Sequence, residues 1–219
     1  MENYIAVIAD IKESRLIQDR KFIQENLLKT LDNINEKYKA YIASNFKVSS
    51  GDSFQGLLNN GYHIMDIVIG LEMELYPLKL RFGIGIGSID TEIYKDNSNL
   101  VDGEAYHIAI NKLEEVKEYE NKKERVITNY KIGKYGSDLS LVNSLFSLVS
   151  IIKNNWSENQ VQVIKAYIEN ECQQQRAAER LGKSQSTISR SLENSQYYSL
   201  SNAFEVLNKA IEKERGLYE

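Results

Sequence analysis

Leu78-Lys-Leu-Arg-Phe-Gly-Ile-Gly-Ile-Gly87 is the stretch on which the reading of the N-terminal half turns. Leu78, Leu80, Phe82, Ile84 and Ile86 alternate with Lys79, Arg81, Gly83, Gly85 and Gly87. A period of two is a strand pattern, with the apolar set on one sheet face and the Lys-Arg-Gly set on the other. Glycines weaken a strand, so three on one face predict that something lies close against it. Before this strand, Gly61 to Leu75 reads as an amphipathic helix ended by Pro77. Phe46–Ser50 and Ser53–Leu58 read as a hairpin with Gly51-Asp52 at its tip. Asp19 is the expected N-cap of a helix carrying Ile23, Leu27, Leu31, Ile34 and Tyr38 on one face. Asn3 to Ala9, ending in Asp10, is a nearly continuous apolar run and reads as a buried central strand. After the glycine strand, 102–120 reads as a helix and Arg125-Val-Ile-Thr128 as a last strand. The order β-α-β-β-α-β-α-β begins with the ferredoxin-like βαββαβ unit, so the expected class is α+β.

Beyond residue 130 the character changes, and everything from Asp138 to Glu214 reads as helical. Two glycines and weak periodicity in Lys131–Ser137 place a boundary there, giving expected domains 1–133 and 134–219. Within the all-α second part, Ser157 caps a helix, and Gln174–Leu181, a turn at Gly182, and Ser184–Leu192 read as a helix-turn-helix spanning about 157–195. Arg176, Lys183, Ser184, Gln185, Ser186, Thr187, Ser189 and Arg190 are the candidate DNA-contacting residues, of types that hydrogen-bond bases and phosphates. Residues 176–190 carry a local charge of +3, yet 157–219 holds eight Lys+Arg against nine Asp+Glu. A packing or dimerisation module is therefore the competing reading.

The formal net charge of −4 excludes a chain that coats polyanions over its whole surface. A single cysteine, Cys172, excludes a disulfide framework or a Cys-rich zinc site. The N-terminus shows no signal-peptide pattern and no apolar run approaches ~20 residues, so the expectation is a cytoplasmic protein without a membrane partner.

Asp10 ends the first strand and Asp52 sits at the hairpin tip, positions that adjacent strands can bring together at one sheet end. Two convergent carboxylates suit Mg²⁺, which takes one or two from protein and fills its shell with phosphate and water. Gly51 lets the hairpin tip approach a ligand, and the bare strand face at Gly83 and Gly85 offers another approach. Arg20 follows where a phosphate would sit, while Lys79 and Arg81 share the glycine face. Each aspartate alone is ordinary turn chemistry; their joint placement favours a site. The glycine run itself is no dinucleotide fingerprint, since its spacing is Gly-x-Gly-x-Gly inside a strand.

Ile8–Arg15, Lys47–Leu57, Leu80–Gly87 and Asp102–His107 together resemble the SatD family of bacterial proteins and, more distantly, class III nucleotidyl cyclases and GGDEF domains. The resemblance implies a nucleotide-cyclase-like domain with a two-metal Mg site held by Asp10, Asp52 and the Ile11 carbonyl, and a triphosphate cradled by Lys12, Glu13, Ser14 and Arg15. It also implies a purine nucleoside triphosphate as ligand and a homodimer, and it sets His107 and Asn111 where the cyclases present a catalytic Asn and Arg. Asn111 lacks the guanidinium's charge and fork, so the enzyme assignment stays open between a nucleotide-binding regulator, an active cyclase-like enzyme and an interaction module.

Overall fold

The computed structural model describes residues 2–14, 19–121 and 126–216. Its element order is β1 (Tyr4–Ile11), α1 (Arg20–Lys37), β2 (Ile42–Ser50), β3 (Ser53–Leu58), α2 (Ile64–Leu75), β4 (Leu80–Gly87), α3 (Glu104–Asn121) and β5 (Tyr130–Lys134). Five helices follow: α4 (Ser140–Asn154), α5 (Glu158–Glu169), α6 (Gln174–Leu181), α7 (Gln185–Asn194) and α8 (Tyr197–Arg215). The strands form one sheet in the order β2-β3-β1-β4-β5, antiparallel throughout except for the parallel β4–β5 pair. The chain is thus α+β with a mixed five-stranded sheet.

β1 is the central strand because its side chains are apolar on both faces. Ile5, Val7, Ala9 and Ile11 join the core that contains α1 and α2 residues, and Ala6 and Ile8 pack with Leu57, Ala105, Ala109 and Leu113 on the other side. Asp19 caps α1 as expected, its carboxylate accepting the Phe22 N–H at 3.0 Å. Helix α2 starts at Ile64 rather than Gly61, because Gly61 is used in packing: its N–H donates to Glu212 Oε2 at 2.6 Å.

The close neighbour of the glycine face is helix α3. A Cβ on Gly83 would stand 2.1 Å from the Ala109 carbonyl oxygen, and one on Gly85 2.0 Å from that of Ala105. The expectation that Gly83 and Gly85 give a phosphate access to the strand is therefore corrected. Both are buried, and helix backbone fills the space a ligand would need.

The last strand also differs from expectation. Arg125 lies outside the described residues, Val126 and Ile127 are half-exposed with no strand pairing, and β5 falls at Tyr130–Lys134, inside the segment read as a linker. Only Tyr130 and Ile132 carry its apolar pattern, and two alternating residues are too few to stand out by period.

The expected boundary at 133/134 falls at the end of β5, but the core does not break there. One buried cluster runs from the sheet residues Phe82 and Ile84 through Phe146, Val163, Ile188 and Ile211. Helix α8 returns to α2, where Asn208 Oδ1 accepts the Met65 N–H at 2.8 Å. Glu72 of α2, Tyr130 of β5 and Lys153 of α4 meet in a buried polar triad. The Tyr130 hydroxyl lies 2.7 Å from Glu72 Oε2, and Lys153 Nζ contacts both partners. No described helix is long and apolar enough to cross a membrane.

Candidate functional site

The register of the sheet builds the site. Asp10, at the end of β1, is paired with Ser53 on one side and Arg81 on the other, and Ser53 is the neighbour of Asp52 in the hairpin turn. Gly51 takes φ of +55°, the left-handed conformation this tight turn needs, and nothing lies within 4 Å of where its Cβ would stand. A cleft of about 670 Å³ opens at this sheet end, and Asp10, Ile11, Glu13, Gly51, Asp52 and Arg20 all line it. Arg81 and Lys117 line it from the α3 side, Ile23 and Leu27 from α1. Its size falls in the range of small-molecule sites.

Asp10 falls on the same face of β1 as Ala6 and Ile8, so its carboxylate points toward α3, and Arg81 and Lys117 hold it there. Oδ1 accepts from Arg81 Nη1 at 3.2 Å and Oδ2 lies 3.1 Å from Lys117 Nζ. Glu120, one turn beyond Lys117, accepts from Arg81 Nε at 2.8 Å and also pairs with Lys12, whose Nζ donates to Asn129 Oδ1 at 3.0 Å. Burial opposes the charge on Arg81, but hydrogen bonding to Glu120 and the nearby Asp10 outweigh it and raise its pKa. Lys117 behaves alike: burial works against it, and Glu114 and Asp10 hold its pKa above the ordinary value. For Glu120, burial pushes upward, and Arg81 and Lys12 pull its carboxyl below the usual range. The site is thus a paired network of both signs beside an open cleft, an arrangement that can exchange partners when a charged ligand enters.

Of the residues expected here, Asp10, Ile11, Asp52, Gly51, Glu13, Ser14, Arg20 and Arg81 border one cleft. Lys12 stands beside it, committed to Glu120 and Asn129. Arg15 lies outside the described residues. Lys79 is exposed just before β4, and its carbonyl accepts the Lys12 N–H at 2.7 Å. His107 and Asn111 are not brought to the cleft. His107 Nε2 is exposed and sits 3.2 Å from Asp102 Oδ1, and Asn111 lines a separate groove with Lys134 and Asn143. Ten residues of helix, about 15 Å of rise, separate His107 from Lys117.

Lys117 is the residue that sequence reading missed, because the charges of 112–120 look like a solvated face. The signal was the spacing: Glu114, Lys117 and Glu120 recur every three residues on one side of α3, and that side faces the end of β1.

In the helical half, α6 ends on Gly182 in the left-handed conformation (φ 61°), and Ser184 caps α7 by accepting the Thr187 N–H at 3.2 Å. Ile188 and Leu192 are buried and hold α7 to its neighbours. Gln185, Ser186, Thr187 and Arg190 are exposed, and Ser189 is half-buried with its hydroxyl donating to Glu193 at 3.1 Å. Arg176 is paired with Glu171 at 2.8 Å, Lys183 contacts Asn159, and the Ser184 hydroxyl is 2.8 Å from that of Thr187.

The family model described as SatD matches residues 4–202, from the first residue of β1 into α8. The chain belongs to the SatD family. The match takes in both the sheet-end cleft and the α6–α7 pair. No curated protein matches it.

Proposed function

We propose that this SatD-family protein is a nucleotide-responsive regulator whose sheet-end cleft binds a purine nucleoside triphosphate with Mg²⁺ and whose α6–α7 pair contacts DNA. The observation that carries the reading is the cleft itself: three carboxylates, Asp10, Glu13 and Asp52, and three basic side chains, Arg20, Arg81 and Lys117, around one opening of nucleotide size. The βαββ run with strand order β2-β3-β1-β4, all antiparallel, supports a ferredoxin-like, nucleotide-cyclase-like core.

The donor set fits Mg²⁺ only in company with a ligand. Among the described residues no group of three or more His, Cys, Asp or Glu could cage a metal. Asp10 and Asp52 supply the one or two carboxylates that Mg²⁺ takes when phosphate and water fill its shell. They would hold the ion, with the Ile11 carbonyl beside them, and the ion would neutralise phosphate charge. Arg81 and Lys117, now paired with Asp10, would then be free to donate to phosphate oxygens. Binding rather than turnover is favoured because Asn111 lacks the charge and fork of the guanidinium that the cyclases present.

Calorimetry with ATP and GTP, with and without Mg²⁺, tests this. The parent is expected to bind at least one of them in a Mg²⁺-dependent manner. Asp10→Ala and Asp52→Ala are each expected to weaken binding by about 10- to 100-fold, the scale of one charge-assisted contact. Equal binding by the variants would remove the metal assignment, and a cyclic or linear product on chromatography after long incubation would replace the regulator with an enzyme.

The DNA reading rests on the exposed polar face of α7 and its capped turn. The expected result is binding to duplex DNA that weakens steeply with salt, with Arg190→Ala lowering the slope of log K against log [salt] by about 1. A salt-independent isotherm, or the same slope in the variant, rules out a phosphate contact by that residue.

A further inference from the structure

Helix α4 is apolar over more of its surface than the core covers. Phe146, Val149 and Ser150 are buried. Beside them Leu141, Leu145, Leu148 and Ile152 follow one another at steps of four, three and four, the heptad spacing of a helix-pairing seam, with Leu145 and Ile152 resting partly on the core and Leu141 and Leu148 standing out from it. Leu141 is 84% exposed and Leu148 58%, with Ile151 at 41% on the flank; Leu145 and Ile152 are half-buried. Tyr135, 66% exposed, stands in the turn that leads into the helix. Isolated exposed leucines need no explanation, but a stripe of them at pairing distance marks an interaction surface.

The charge pattern says which partner. Lys153 is the only charged residue among the fifteen of α4, and it is turned inward onto Glu72 and Tyr130. The seam is bordered by Ser144 and Asn155. A contact around a two-fold axis sets a surface against itself, so any net charge on it would meet its like; an uncharged seam avoids this. Selective pairing with a different helix normally relies on complementary charges along the flanks, and within α4 the seam has none, the exposed Asp138 standing only at its start. A membrane-surface helix would border its apolar face with Lys and Arg, and those are lacking too.

We propose that the outer face of α4 is a homodimer interface, seam packed on seam across a two-fold axis. With the two helices antiparallel, Leu141 lies near the partner's Ile152 and Leu145 near the partner's Leu148. The seam runs for about 22 Å, the length of a fifteen-residue helix. A single helix pair of this length is a small contact, which points to a micromolar rather than a nanomolar dimer. The interface is distinct from the cleft, none of whose lining residues belongs to α4, and it does not depend on the nucleotide reading.

Sedimentation equilibrium on the full chain, at about 1 to 100 µM, tests it. The parent is expected to pass from monomer toward dimer across this range. Leu141→Glu/Leu148→Glu is expected to raise the dissociation constant about 100-fold or more, because each glutamate would face apolar surface or another glutamate. Leu141→Met/Leu148→Met is expected to keep the dimer. Both substituted residues are exposed, and a circular-dichroism melt unchanged from the parent confirms that the fold is intact. A parent that stays monomeric throughout overturns the proposal, as does a Glu/Glu variant that dimerises like the parent. A monomeric parent that sediments with lipid vesicles would give the face to a membrane and overturn the dimer equally.

Discussion

Glu72→Ala is expected to destabilise the protein by about 3–5 kcal/mol, read as a lowered urea midpoint with an unchanged m-value. The Glu72 side chain is 12% exposed and that of Lys153 6%, and the Tyr130 hydroxyl donates to the same carboxylate. Removing the carboxylate leaves an ammonium and a phenol facing each other in apolar surroundings. Burial already pulls the pKa of Lys153 down against the attraction of Glu72; without Glu72 nothing opposes it. The ammonium then either stays charged and unpaired or gives up its proton, which at pH 7 costs about 4–5 kcal/mol for a group of ordinary pKa near 10.4. The sign of the pH dependence follows. A lysine whose folded pKa is depressed binds fewer protons folded than unfolded, so the variant should gain stability as pH rises from 7 toward 10. Glu72→Leu with Lys153→Met should recover much of the loss, since a well-packed apolar replacement of a buried pair is often neutral. A loss below about 1 kcal/mol for the single variant would mean that water reaches the triad and that it is no clamp between the sheet and α4.

That triad shows where sequence reading stops. Glu72, Tyr130 and Lys153 are spread over eighty residues, and nothing in their local patterns pairs them. The expectation of a separate helical domain followed from a change in pattern near residue 130, and pattern says nothing about whether two halves share a core. What was legible is what a period or a local rule controls. Strand β4 announced itself by strict alternation, α1 by Asp19 and its apolar face, and the hairpin by Gly51-Asp52. Asp10 and Asp52 could be placed at one sheet end because strand order alone decides it. Lys117 could not, because which face of α3 meets the end of β1 depends on the angle at which the helix crosses the sheet. The place of His107 and Asn111 follows from a resemblance rather than from any local rule, and within one chain they lie off the cleft.

Gly85→Val is expected to cost about 3 kcal/mol or more, the upper part of the range for overpacked cores. The reason is what the new side chain would strike. Its Cβ alone would stand 2.0 Å from the Ala105 carbonyl oxygen and 2.6 Å from the Ala109 nitrogen, both helix backbone, which cannot swing aside as a side chain can. Helix α3 would have to lift from β4 along its contact with Gly83, Gly85 and Gly87. The cleft is coupled to this, since α3 also carries Lys117 and Glu120, which fix Asp10 and Arg81. The same substitution therefore separates two roles for the glycine strand. If the glycines seat the helix, Gly85→Val lowers the urea midpoint in the absence of any ligand, and Gly85→Ala does so to a lesser degree. If they exist to admit a phosphate, both variants fold with parental stability and lose only affinity. The distances predict the first result, and parental stability for Gly85→Val would show that α3 does not lie where those distances place it.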